Sequence, residues 1–163
     1  MTEHVFSEPE RAAVYREIGE RRDMRHFAGG EVAPELLARL LAAAHQAPSV
    51  GLMQPWRFIR ITQRALRERI QALVEQERVL TAQALGERSD DFMKLKVEGI
   101  NDCAALLVAA LPAHRAPPLL SRRPLPETAP APLSCAPHNL TLPAPAVRPG
   151  TGLLSLFAPL ALR

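Results

Sequence analysis

Twelve of the sixteen prolines fall between Pro112 and Pro159. Each proline removes a backbone donor and clashes with the preceding helical turn, so neither a continuous helix nor a central strand is expected there. Residues 112–163 therefore read as a divergent tail, poorly ordered and without a packed core of its own. That stretch is rich in leucine and alanine rather than serine, glutamine or glutamate, and so matches neither a flexible linker nor a simple proline-rich ligand. Ordered chemistry is sought in residues 1–111.

A chain of 163 residues suits one domain. The net charge of +3 could suggest a nucleic-acid partner, but its location decides the matter. Up to Leu111, 15 Lys and Arg stand against 16 Asp and Glu. The excess lies in the tail, where Arg115, Arg122, Arg123, Arg148 and Arg163 are scattered with no aromatics between them to stack bases. No nucleic-acid partner is expected. Cys103 and Cys135 lack metal-ligand spacing and read as free thiols, and His4, His26, His45, His114 and His138 share no spacing, so no metal is expected either. The polar N-terminus and the absence of a long apolar run predict a cytoplasmic protein with no membrane partner.

Ser7 with Glu10 three residues later forms a capping-box pattern that predicts a helix to about Glu20, with Val14 and Ile18 on its inner face. Ala28, Gly29 and Gly30 break the chain. Pro34 then opens a second helix whose Leu36, Leu37, Leu40, Leu41 and Ala44 keep helical spacing up to Pro48. Trp56 to Thr62 alternates as a strand does. Helix returns from Gln63 to about Glu77, with Leu66, Ile70, Leu73 and Val74 inward, and again over Arg78 to Ile100 with an interruption near Gly86. The apolar run Cys103 to Leu111 is a buried central strand or a short buried helix.

Two segments could carry chemistry. Arg21, Arg22 and Arg25 offer three guanidinium groups, which form strong and directional bonds to a phosphate dianion. Neighbouring helical residues point apart, so these groups can converge only if the helix ends after Glu20. A solvated basic helix end would account for the cluster equally. Asp23 sits among those cations and could simply pair with one of them. In the second segment Pro48 stops a helix, Ser49 offers a hydroxyl, Gly51 allows close backbone approach, and Gln54 can bridge polar ligand atoms. A helix stop and turn anchored by Trp56 is the competing reading.

The run Arg21-Arg22-Asp23-Met24-Arg25, followed by Pro48-Ser49-Val50-Gly51 and Gln54-Pro55-Trp56, resembles the flavin-binding elements of the nitroreductase-like superfamily and, within it, the BluB family of 5,6-dimethylbenzimidazole synthases. Lys94 to Ile100 also resembles a segment of that family. The tail follows its outline in patches: Leu125 to Thr128, Cys135-Ala136, Asn139-Leu140 and Gly150 to Phe157. The resemblance implies an α+β fold with a central mixed sheet flanked by helices, and a homodimer binding FMN. It implies a flavin-binding core over 1–111, with Arg21, Arg22, Asp23, Met24, Arg25, Ser49, Gln54 and Leu153 as cofactor-binding residues. Asp23 and Ser155 take the catalytic roles in that reading. Reduced FMN and molecular oxygen would be consumed, with NAD(P)H as a possible electron source. Two alternatives stay open: an NAD(P)H-dependent nitro or flavin reductase, and an inactive flavin-binding remnant.

Overall fold

The computed structural model describes residues 5–49, 52–94, 99–112, 130–143 and 150–154. Its described elements are helices α1 (Glu8–Glu20) and α2 (Pro34–His45), strand β1 (Arg57–Ile61), helices α3 (Arg64–Ala84), α4 (Ser89–Met93) and α5 (Gly99–Asp102), strand β2 (Leu106–Ala110) and helix α6 (Pro130–Thr141). The class is α+β, as expected. Chain contacts group into two compact units, one of Met1–Asp23, Pro34–Trp56 and Leu111–Gly152, the other of Met24–Ala33, Arg57–Ala110 and Leu153–Arg163.

In the first unit α1 begins at the anticipated cap. The Glu10 carboxylate accepts from the Ser7 backbone N–H at 2.7 Å and from the Ser7 hydroxyl at 2.6 Å. Those two bonds, the hydroxyl's first, hold the Glu10 carboxyl below its ordinary range. The expected inner face is not buried: Val14 and Ile18 are exposed, and α1 buries none of its residues. Helix α2 behaves as its pattern predicts and buries Leu40 and Ala44.

Helix α6 departs from the expectation that proline would exclude helix from this stretch. Pro130 and Pro132 fall in its first turn, where a backbone N–H has no intrahelical partner to lose. Only Pro137 lies in the interior. The helix is held by packing: α6 lies against α2, Ala136 is completely buried, and the Asn139 side-chain amide donates to the Ala43 carbonyl at 3.3 Å. It ends at Thr141, two residues before Pro143, and residues 144–149 lie outside the described set.

In the second unit the described strands pair antiparallel as a two-stranded sheet, with Arg57 opposite Ala110 and Ile61 opposite Leu106. The mixed sheet implied by resemblance is thus represented, among the described residues, by this antiparallel pair. The strand alternative for the Cys103–Leu111 run is the one observed, although β2 is only partly buried. Helix α3 runs past Glu77 to Ala84 and stops where Gly86, at φ +56°, adopts the left-handed conformation that glycine tolerates. Ile70 and Val74 of α3 meet Ile61 and Ile100 in a core flanked by Leu66, Leu106, Val108 and Leu154. Cys103 and Cys135 are half-buried and free, and burial pushes the Cys103 thiol above its ordinary value. Among the described residues no helix is long and apolar enough to cross a membrane.

Pro137→Ala should stabilise the protein. It restores one helical hydrogen bond and removes a clash costing roughly 3 kcal/mol, against about 0.4–1 kcal/mol of lost unfolded-state restriction. The expected net gain of about 2 kcal/mol is read as a rise of several degrees in Tm.

Candidate functional site

Helix α1 ends where the arginine cluster needs it to end. Arg21 has left helical geometry at φ −51° and ψ 131°, while its N–H still closes the last turn on the Glu17 carbonyl at 3.0 Å. No regular helix resumes before Pro34, so Arg21, Arg22, Asp23, Met24 and Arg25 all lie on non-helical backbone. Arg21 and Arg25 are half-buried, while Arg22, Asp23 and Met24 are exposed. The Arg22 guanidinium folds back, Nη1 donating to the Gly19 carbonyl at 3.0 Å and the Arg21 carbonyl at 2.9 Å. A guanidinium carries five N–H donors, and these bonds engage only that one nitrogen, so Arg22 keeps capacity for an anion.

Two of the anticipated cofactor residues meet directly. Arg25 Nη1 donates to the Leu153 carbonyl at 3.1 Å, across 128 positions of sequence. The contact brings a residue of the tail to Arg25 within the second unit. Segment 24–28 is fixed from behind by α5: a Cβ at Gly99 would stand 2.7 Å from two ring carbons of Phe27 and 3.2 Å from the Arg25 carbonyl oxygen. Gly99 is therefore a close-approach glycine, and its lack of a side chain sets where the backbone of Arg25 runs.

In the first unit the segment after α2 is tightened by bonds from Gln46 N–H to the Ala43 carbonyl (3.2 Å) and Ala47 N–H to the Ala44 carbonyl (3.1 Å) before Pro48 ends the helix. Ser49 then organises the turn: its carbonyl accepts from Leu52 N–H at 3.2 Å and its hydroxyl oxygen accepts from Gln54 N–H at 3.0 Å. Accepting leaves the hydroxyl proton of Ser49 able to donate elsewhere. Leu52 and Gln54 both have positive φ, 53° and 41°. For non-glycine residues such backbone costs on the order of 1–3 kcal/mol and persists only where its surroundings fix it. The Gln54 amide nitrogen supplies one such fixture by donating to the His45 carbonyl at 3.0 Å. Trp56, 3% exposed, supplies another: its indole N–H donates to His45 Nδ1 at 3.3 Å, the rings meeting edge-on at 88°.

The sequence assigned His45 no role. Its contacts lie nine and eleven positions away and arise only once the turn has formed, so no local spacing marks them. Val50, Gly51, Leu125 to Thr128 and Ser155 lie outside the described residues, as does part of the Lys94–Ile100 segment.

A family model described as the nitroreductase family matches residues 18–159. The chain is 34% identical over 161 residues to the 5,6-dimethylbenzimidazole synthase of Rhodobacter capsulatus, a match covering 96% of this chain and 77% of that one. It is 37% identical over 148 residues to the enzyme of the same name from Rhodospirillum rubrum, covering 85% of this chain and 67% of the relative. A crystal structure of oxidized iodotyrosine deiodinase bound to FMN and 3-iodo-L-tyrosine superposes with a TM-score of 0.62 at 21% identity, covering 79% of this chain and 67% of that one. At that identity the likeness is one of fold.

Gly99→Ala should displace the Phe27 ring or the Arg25 backbone and destabilise the protein by about 1–3 kcal/mol, the usual cost of overpacking. Chemical denaturation measures the loss, which should exceed that of alanine at the open Gly19.

Proposed function

We propose that this chain, which belongs to the nitroreductase family, is an FMN-dependent oxidoreductase that makes 5,6-dimethylbenzimidazole, the lower-ligand base of cobalamin. The observation that carries the reading is the 34% identity to a 5,6-dimethylbenzimidazole synthase along 96% of the chain. In this reading residues 1–111 form the flavin-binding core, and the divergent tail 112–163 contributes Leu153 and Ser155.

The donor set suits a flavin mononucleotide. Three guanidinium groups within five residues of non-helical backbone, at Arg21, Arg22 and Arg25, carry the charge and the N–H donors that a phosphate dianion takes. The Ser49 hydroxyl and Gln54 amide sit on a turn held by several hydrogen bonds, which suits them to fixing polar atoms of the ring system or ribityl chain. Met24 and the backbone at Leu153 complete the contacts. Reduced FMN brings the reactive ring system, which is consumed with molecular oxygen rather than recycled, with NAD(P)H a possible source of its electrons. The task of the protein is to bind the phosphate, exclude water and position groups that move protons. Asp23 and Ser155 are the proposed proton-handling residues.

A homodimer in the cytoplasm completes the reading. It is supported by α1, a thirteen-residue helix that buries none of its own residues while leaving Val14 55%, Tyr15 76% and Ile18 57% exposed. Isolated helices of that length are marginal in water, so an apolar face of this kind calls for cover.

Two measurements test these statements. Asp23→Asn should retain FMN binding and lose at least a hundredfold in 5,6-dimethylbenzimidazole formation, as removal of a general acid or base does; formation at the normal rate would remove Asp23 from the chemistry. The purified protein should show a flavin absorbance spectrum and sediment as a dimer. A colourless monomer would instead support the inactive-remnant alternative, and nicotinamide oxidation without benzimidazole would support an ordinary reductase.

A further inference from the structure

Two described side chains that follow α2, those of Gln54 and Trp56, converge on a single residue, His45. The backbone carbonyl of His45 receives the Gln54 amide at 3.0 Å, and its ring nitrogen Nδ1 receives the indole N–H of Trp56 at 3.3 Å. Since Trp56 can only donate through its indole nitrogen, Nδ1 is the acceptor, and the neutral ring carries its proton on Nε2. The indole is 3% exposed, so it is a fixed point, and the edge-on ring contact at 6.1 Å between centroids adds a directional preference. Leu52 and Gln54, both with left-handed backbone, lie between His45 and Trp56 in the chain.

Such a backbone relaxes if its attachments are released. The bond from Gln54 N–H to the Ser49 hydroxyl at 3.0 Å pins the middle of the turn, but it lies wholly within the turn and cannot set the direction in which the turn leaves α2. That direction is set at His45 and Trp56. Resting on the reading of this turn as a flavin contact, we propose that the His45 side chain is a positioning residue: by holding Trp56 through Nδ1 it fixes the placement of Ser49 and Gln54 for FMN.

The test compares His45→Leu with His45→Asn. The two side chains have nearly the same shape, but only asparagine returns an acceptor oxygen close to the position of Nδ1. Trp56 is the only tryptophan in the chain, so its selectively excited emission reports on the contact without flavin. His45→Leu should change that emission and weaken FMN binding about three- to tenfold, the value of one partly exposed hydrogen bond. His45→Asn should restore both readouts to within about twofold of the parent. Unchanged FMN affinity in His45→Leu, or equal weakening in both variants, would overturn the positioning role. A parent protein that binds no FMN would overturn the flavin reading and with it the inference, and that result is distinguished from the others by being seen without any substitution. Far-UV circular dichroism checks that overall helix content is retained in each variant.

Discussion

The second unit depends on the seam between α3 and the two-stranded ribbon. Two five-residue strands, which among the described residues pair with each other, would not persist in water as an isolated ribbon. Here Ile70 and Val74 cover one side of Ile61, and Ile100 completes the cluster. The seam also settles backbone groups that the short ribbon leaves over: the Arg67 guanidinium donates to the Ile61 carbonyl at 3.1 Å and to the Cys103 carbonyl at 2.7 Å, at the end of β1 and just before β2. One side chain thus fixes both neighbouring chain ends. From this seam the unit extends to α5, to the close approach of Gly99 and Phe27, and so to the backbone of Arg25.

What the sequence made legible follows from which forces are local. The Ser7–Glu10 cap, the apolar stripe of α2, the inward Ile70 and Val74 and the stop at Gly86 each arise from residues within a few positions of one another, and all appear in the structure. The same holds for the helix end that frees Arg21 and Arg22 from helical geometry. The inner face assigned to Val14 and Ile18 failed because periodicity identifies an apolar face without saying what covers it. Helix α6 was missed for the opposite reason. A proline count weighs every position equally, whereas Pro130 and Pro132 occupy the turn that tolerates them, and long-range packing on α2 compensates for Pro137.

The candidate site divides in the same way. Residue types made the arginine run and the serine-containing turn candidates, because the chemistry of phosphate and polar ligand atoms restricts which side chains can serve, and family resemblance favoured them over a solvated helix end and a simple turn. Family resemblance marked Arg25 and Leu153 separately as flavin contacts, but their mutual hydrogen bond was not legible, since nothing local to residue 25 indicates a partner 128 positions away. His45 was not legible at all. Its two roles as acceptor, one by the backbone and one by the ring, depend on the path of a turn containing two left-handed residues, and non-glycine residues give no warning of such a path.

That path also bears on how stability and function are divided. Left-handed backbone at Leu52 and Gln54 costs on the order of 1–3 kcal/mol each, an appreciable part of the total stability of a domain. Replacing either residue by glycine would relieve the local cost but release the turn to many conformations, so the hydrogen bonds accepted by Ser49 and His45 would hold a more mobile segment. A turn that exists only to connect α2 with β1 gains nothing from the more strained alternative. A turn that must hold a hydroxyl and an amide in fixed directions does, because every rotamer and backbone state removed before binding is a state the ligand need not remove. In the proposed flavin reading, the left-handed backbone at Leu52 and Gln54 would thus bear on ligand positioning as much as the side chains of Ser49 and Gln54 do.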